Sequence, residues 1–307
     1  SEVGRVGGKG HRIDAGVSEN ITRAFMGWVR RVHGEDGAPN WDGGTVDAHG
    51  EPKWDIQTGR PWEGGWCRPQ SDGPGLQAEA LMMFAEGRNA TEQWAIWEVV
   101  RWDLDWVAKN SSVHAQGCDL WEETREPSML WNMVTMRKAL LHGRDMAARM
   151  GDAGRAAAYN RSAHKFVGKP VLTHLKATAG GSFLTECPAA GGGDECVKKG
   201  KDIDGAVILS LIHSGWLESA EIAEGLEPAG SPTRTVVANT VQVYNEAFCM
   251  LFPINEADTR AGAPGILYGR YMLDEYGGGN PWQLITAALA TLLYQAARVV
   301  AGGGKVT

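Results

Sequence analysis

The stretch Ile96-Trp97-Glu98-Val99-Val100-Arg101-Trp102-Asp103-Leu104-Asp105-Trp106-Val107 decides the fold class. Its apolar positions 96, 99, 100, 104 and 107 recur at three and four, the period that places side chains on one face of an α-helix. The same spacing runs through Leu76 to Phe84 before it. After it come Leu130, Met133, Val134, Ala139 and Leu140, and then Ile203, Val207, Ile208 and Leu211. Nearer the N-terminus, Ile21, Phe25, Trp28, Val29 and Val32 repeat the pattern behind Ser18, a candidate N-cap. Two further helices are predicted over about Thr235 to Leu251 and Pro281 to Val300. The last has Asn280 as N-cap and Pro281 at the first helical position, where its missing N–H costs nothing. Period-two alternation is confined to a short run near Phe183 and Leu184, so the chain is read as all-α.

Between these helices lie two kinds of connection. Short ones such as Gly87 to Ala90 make helix hairpins, whereas Gly34 to Arg68, Ala177 to Gly200 and Ala257 to Gly279 are long, glycine-rich and carry polar and aromatic residues. Helix pairs with long loops at one end suit an α/α toroid whose loops wall a cleft. The expected organisation is a flexible segment over 1–17, one helical domain over 18–301 and a tail over 302–307.

With 307 residues the chain is long enough to bury about three quarters of its unfolded surface. Its 30 Lys and Arg against 37 Asp and Glu give a net charge of −7. No basic run marks a nucleic-acid partner. No apolar run approaches the ~18 residues of a membrane span, and Ser1 to Gly10 lacks the apolar region of a signal peptide. The five cysteines, Cys67, Cys118, Cys187, Cys196 and Cys249, form no CxxC pair. Cys187 and Cys196 bracket the glycines Gly191 to Gly193 and either close that loop as a disulfide or remain thiols. Acceptor triplets for glycosylation begin at Asn20, Asn89, Asn110 and Asn160.

Tryptophan, at 13, outnumbers tyrosine and phenylalanine, at 6 each. Trp41, Trp54, Trp62, Trp66 and Trp121 fall in glycine-rich loops. There a flat apolar face with one N–H donor suits a sugar ring as well as it suits a core lid. Four segments combine charge, aromatics and glycine at predicted helix boundaries: Trp66 to Pro74, Cys118 to Glu123, Gly200-Lys201-Asp202, and Gly269 to Asp274 leading into Asn280-Pro281-Trp282. Glycoside hydrolysis requires a carboxylic acid held protonated near neutral pH and facing a second carboxylate. Asp119, Glu122 and Glu123, crowded around Trp121, could supply the first.

These segments, with Gly50-Glu51-Pro52-Lys53-Trp54 before them and Ile212-His213 after Asp202, resemble the catalytic domain of fungal-type glucoamylases, glycoside hydrolase family 15, in order and roughly in spacing. The resemblance implies an (α/α)6 toroid, here incomplete, and an inverting exo-hydrolase. Such an enzyme releases β-D-glucose from α-1,4-glucans such as starch and maltooligosaccharides, uses no metal or organic cofactor, and is extracellular. It implies Glu122 as general acid. Trp66, Arg68, Asp119, Trp121, Glu123, Arg270, Asp274 and Trp282 would be the substrate-binding residues. The sequence departs from the pattern in several places. The family's catalytic base aligns beyond Thr307, its N-terminal Trp-Thr-Arg-Asp block has no counterpart nearer than Thr22-Arg23-Ala24, Cys67 replaces a glycine, and Leu273 replaces an acid. About eight helices are predicted where a full toroid has twelve. The alternative reading is a truncated or vestigial α-glucan-binding protein without the base.

Overall fold

The computed structural model describes residues 15–34, 37–39, 43–112, 116–166, 169–179, 181–188, 194–214, 233–263 and 265–301. Most of the expected N-terminal segment, the tail 302–307, Trp41 and the glycines Gly191 to Gly193 lie outside the described residues. Eleven helices are present among the described residues: α1 Ala15–Val32, α2 Gly73–Ala85, α3 Ala90–Lys109, α4 Leu130–Arg149, α5 Ala153–Ala163, α6 Lys169–Leu172, α7 Asp194–Lys198, α8 Ala206–His213, α9 Thr233–Phe248, α10 Pro253–Ala261 and α11 Gln283–Ala301. Every helix expected from periodicity is present. Periodicity misses four: α6 and α7 are only four and five residues long, and α5 and α10 are polar, α5 burying Tyr159, Ser162 and Ala163 and α10 only Asn255, so neither displays an apolar stripe.

Two expected helix starts shift. Ser18 lies inside α1, and its carbonyl accepts from Thr22 Oγ1 at 3.0 Å. Asn280 and Pro281 precede α11, because Gly277, Gly278 and Gly279 all adopt positive φ, a turn that glycine tolerates without strain, and Asn280 Nδ2 folds back on Gly277 O at 2.5 Å. Asn89, by contrast, caps α3 by accepting from Glu92 N at 3.0 Å.

Among the described residues, three antiparallel two-stranded hairpins supplement the helices: β1 Ala38–Pro39 with β2 Thr45–Val46, β3 Gln116–Cys118 with β4 Arg125–Pro127, and β5 Leu175–Thr178 with β6 Gly181–Leu184. The last contains the Phe183-Leu184 alternation. The others, of two or three residues per strand, are too short to show a period. No described helix is long and apolar enough to cross a membrane.

Helices α2 and α3, and α4 and α5, form antiparallel hairpins across short turns, and α2 lies against α4, α4 against α8, and α8 against α11. Leu81, Leu104, Leu130, Leu140, Val207, Leu211, Ile285 and Leu292 fill the space between these helices. The contacts between the loops preceding α2, α4, α8 and α11, given below, place the N-termini of these four helices at one end of the arc. Gly143 inside α4 admits Leu104 of α3: a Cβ added there would lie 2.5 Å from Leu104 Cδ1. Leu104→Ala is expected to cost about 3 kcal/mol. In that background Gly143→Ala should recover part of the loss, through helix propensity and void filling, while being less favourable in the parent. Urea-unfolding midpoints of the four proteins measure this coupling, and strict additivity would contradict the packing.

Candidate active site

The loop before α2 carries Trp66 and Arg68, the β3–β4 hairpin before α4 carries Asp119 to Glu123, the turn before α8 carries Lys201 and Asp204, and the segment before α11 carries Arg270 to Trp282. They enclose a cleft of about 1030 Å³ whose walls include Glu63, Trp66, Arg68, Trp121, Glu122, Glu123, Arg270, Tyr276 and Trp282.

Glu122 sits at the tip of the hairpin. Asp119 N donates to Thr124 O at 2.8 Å, closing the loop. Asp119 Oδ1 accepts from Glu123 N and Thr124 N, both at 2.8 Å, and Glu122 N reaches Asp119 O at 3.0 Å. The closed loop forces Glu122 to φ 61°, a left-handed conformation that costs a non-glycine residue about 1–3 kcal/mol and concentrates at functional sites. The consequence is that Glu122 and Glu123, neighbours in sequence, have different environments. Trp66 Nε1 donates to Glu122 Oε2 at 2.6 Å, while Lys53 Nζ lies 3.6 Å over the Trp66 ring. Burial pushes the Glu122 carboxyl above the ordinary glutamate range. The negative charges of Asp72 and Asp119 add to the rise, and the Trp66 N–H and the Lys53 ammonium offset part of it.

Glu123 faces the opposite influence. Burial alone would raise it, but Tyr271 Oη donates to its Oε2 at 2.5 Å, Lys201 Nζ reaches Oε2 at 3.0 Å and Arg270 Nη1 reaches Oε1 at 2.8 Å, which together hold it below the ordinary range. Lys201, fully enclosed, also pairs with buried Asp119 through Oδ2. Arg270 is fixed by a bidentate pair with Asp274, at 2.9 and 2.5 Å, and its guanidinium lies 5.0–5.4 Å from the ring centres of Trp121, Tyr271, Tyr276 and Trp282.

Of the residues expected to touch substrate, Trp66, Arg68, Trp121, Glu123, Arg270 and Trp282 line the cleft. Asp119 and Asp274 lie behind it, holding the hairpin and Arg270. Arg68 directs all five N–H bonds at protein oxygens: Glu51 receives two, and the carbonyls of Gly64, Trp66 and Trp62 one each. Its guanidinium therefore shapes the Trp62–Trp66 loop. Arg23, in the Thr22-Arg23-Ala24 string, does not line the cleft and pairs with Glu19 and Glu92.

Several participants carried no sequence signal as site residues. Asp204 accepts from Trp121 Nε1 at 2.8 and 3.0 Å and from Ala206 N at 2.8 Å, and burial raises it to about 7. Lys201, Tyr271 and Tyr276 stood in or beside the four segments, and Lys53 in the Gly50 to Trp54 stretch before them, without an assigned part. Cys67, which departs from the family's glycine, forms a disulfide with Cys118 and ties the loop before α2 to the base of the acid hairpin. Cys187 and Cys196, left open between thiols and a bridge by their spacing, form a disulfide, leaving Cys249 as the free cysteine.

The pattern described as "Glycosyl hydrolases family 15" matches residues 36–307. "Glucoamylase P" of Amorphotheca resinae is 32% identical over 258 residues, covering 80% of this chain and 37% of that protein. "Glucoamylase-1" of Schizophyllum commune is 33% identical over 259 residues, covering 82% and 40%. Among solved structures, "Glycoside Hydrolase Family 15 Glucoamylase from Hypocrea jecorina" superposes with a TM-score of 0.75 at 27% identity, covering 95% of this chain and 46% of that one. "Structure of Hormoconis resinae Glucoamylase" gives 0.70 at 26%, covering 92% and 45%. The chain thus spans less than half the length of these relatives, and its helix arc is part of the (α/α)6 toroid they share.

Two outcomes follow from the site's electrostatics. Trp66→Phe removes a donor that stabilises ionised Glu122, so the Glu122 carboxyl should titrate at higher pH than in the parent, as read by ¹³C-carboxyl NMR. An unchanged or lower midpoint would contradict the assignment. Lys201→Met leaves Asp119 and Glu123 without their common cation and is expected to cost about 3–5 kcal/mol, measured by urea unfolding at pH 7.

Proposed function

We propose, from the premise that this chain belongs to glycosyl hydrolase family 15, that it provides the acid side of a glucoamylase-type site acting on α-1,4-glucans. The observation that carries the reading is the divergence of two adjacent carboxylates. Glu122 is held toward its protonated form beside the cleft, and Glu123 is held ionised by Lys201, Arg270 and Tyr271. A protonated carboxyl at a cleft wall can donate to a glycosidic oxygen as the bond to the anomeric carbon breaks, and the ionised neighbour stabilises the positive charge that develops on the sugar. The planes of Trp66, Trp121 and Trp282 offer apolar faces to the sugar C–H groups, and Arg270, Tyr276 and Glu123 offer polar atoms for its hydroxyls.

Inversion further requires a base about 6.5–9.5 Å from the acid to activate water on the opposite face. The resemblance aligns no residue of 1–307 with that base. Among the described residues that line the cleft, Glu63 is the carboxylate besides Glu122 and Glu123. Two disulfides suit an oxidising compartment, which supports an extracellular location. We take residues 18–301 as a single, partial catalytic domain. A second reading, α-glucan binding without turnover, rests on the aromatic and polar lining of the cleft, which offers contacts to a sugar whether or not a base faces Glu122.

Anomer-resolved NMR with maltotetraose tests both readings. The parent is expected to release β-glucose, and Glu122→Gln to lower the rate by about a hundredfold to ten-thousandfold while retaining maltotetraose binding in calorimetry. A rate unaffected by Glu122→Gln, or α-glucose as first product, would overturn the catalytic assignment. Binding without glucose from the parent selects the second reading. Glu63→Gln run alongside reports whether that carboxylate serves as base.

A further inference from the structure

Outside the residues that line the cleft, three potential metal ligands from three separate segments converge: His33 just past the end of α1, His49 in the short 3-10 turn Ala48–Gly50, and Asp103 in α3. We propose that His33, His49 and Asp103 bind a divalent metal ion of borderline softness, such as zinc, which fastens α1 and the 47–50 turn to α3.

The donor set and the state of its atoms carry the proposal. One atom from each residue lies within 4.8 Å of the other two. His49 Nδ1 lies 2.5 Å from Asp47 Oδ1, and the same oxygen accepts from His49 N at 3.0 Å, an arrangement in which the neutral ring carries its proton on Nδ1 and presents the Nε2 lone pair. A carboxylate on the far nitrogen is the arrangement that orients metal-bound histidines. His49 Nε2 is buried and has no hydrogen-bond partner, its side chain being 9% exposed. Asp103 Oδ2 is likewise buried and unpartnered on a side chain 1% exposed. An unsatisfied imidazole nitrogen and an unsatisfied carboxylate oxygen in one enclosed cluster each cost about 1–3 kcal/mol, and a bound cation would satisfy both. The third ligand is already aimed inward: His33 Nε2 donates to Asp103 Oδ1 at 3.0 Å, and a metal would take the place of that shared proton.

Two imidazoles and a carboxylate form a set that zinc uses when a coordination position stays open. Here the imidazoles line a cleft of about 730 Å³ shared with Thr45, Asp47, Trp102 and Lys109, which gives an ion a path in and room for water. The two rings lie parallel, 4.8 Å apart at 9°. Because an imidazole lone pair lies in the plane of its ring, one ring must turn about χ2, a broad torsion, to bring the donors to the roughly 3.3 Å spacing that follows from zinc–nitrogen bonds of about 2.0–2.1 Å. Trp102 stacks on His33 at 5.9 Å and Trp106 on His49 at 6.4 Å, placing two indole reporters beside the ion.

The metal-free 307-residue chain is titrated with Zn²⁺ by calorimetry in two buffers of different ionisation enthalpy, and with Co²⁺ by visible absorption and tryptophan fluorescence. The expected result is one ion per chain, proton release, cobalt d–d bands with quenching of tryptophan emission, and a Tm higher by a few degrees at saturating zinc. His49→Gln and His33→Gln should weaken binding about 100-fold or more, and Asp47→Asn about tenfold to a hundredfold with unchanged stoichiometry. Asp103→Asn alters a buried group, so the histidine variants, with their fold checked by circular dichroism, are the deciding pair. No binding at millimolar zinc, or undiminished affinity in folded His49→Gln, overturns the proposal.

Discussion

The ammonium of Lys201, shut off from solvent and held between Asp119 and Glu123, is the interaction on which the rest of the site depends. Removing an ion from water costs several kcal/mol, and the mutual attraction of buried charges offsets this only where geometry and hydrogen bonding are good. That requirement couples separate parts of the chain. Lys201 comes from the turn before α8, Asp119 and Glu123 from the hairpin before α4, and Glu123 continues to Arg270 in the segment before α11. Each loop satisfies charges that the others bring, so the cleft forms only when the helices behind them are packed in sequence around the arc.

The same network separates the proton affinities of two consecutive glutamates. Glu123 receives the cations and the tyrosine hydroxyl, and Glu122, turned away by its left-handed backbone, receives an indole N–H and the repulsion of buried acids. The hairpin tip that enforces this turn is anchored at its base by the Cys67–Cys118 disulfide and internally by the Asp119 side chain. Backbone strain at Glu122 persists because its surroundings determine it several times over.

A second regularity links the tryptophans to the acids. Trp66 donates to Glu122, Trp121 to Asp204 and Trp131 to Asp72, at 2.6, 2.8 and 2.6 Å. Each indole is thereby oriented by a carboxylate, and each carboxylate receives a donor that partly offsets the effect of burial, which still leaves Glu122, Asp204 and Asp72 raised. For Trp66 and Trp121, which line the cleft, orientation of the indole and tuning of its partner acid are thus the same hydrogen bonds.

What the sequence determined by itself is whatever depends on near neighbours along the chain. The helices followed from three-and-four spacing at positions such as 96, 99, 100, 104 and 107, because that period alone puts side chains on one face. The Asp119 to Glu123 cluster, with Trp66 and Arg270, was legible as a candidate site because the segments that carry it resemble a known family in order; by itself, a run of carboxylates beside an indole suits a solvated acidic turn better. Tertiary structure decided which of two adjacent glutamates is raised and which lowered, since that depends on Lys201, Arg270 and Tyr271, between 78 and 148 positions away. It also decided that Arg68 and Asp274 bond to protein groups, that Cys67 pairs with Cys118 across 51 residues, and that Asp204 holds Trp121. Periodicity reports which side chains share a face of one element. Proton affinity and hydrogen-bond satisfaction depend on what the rest of the chain brings within a few ångströms, and that is fixed only when the helices pack.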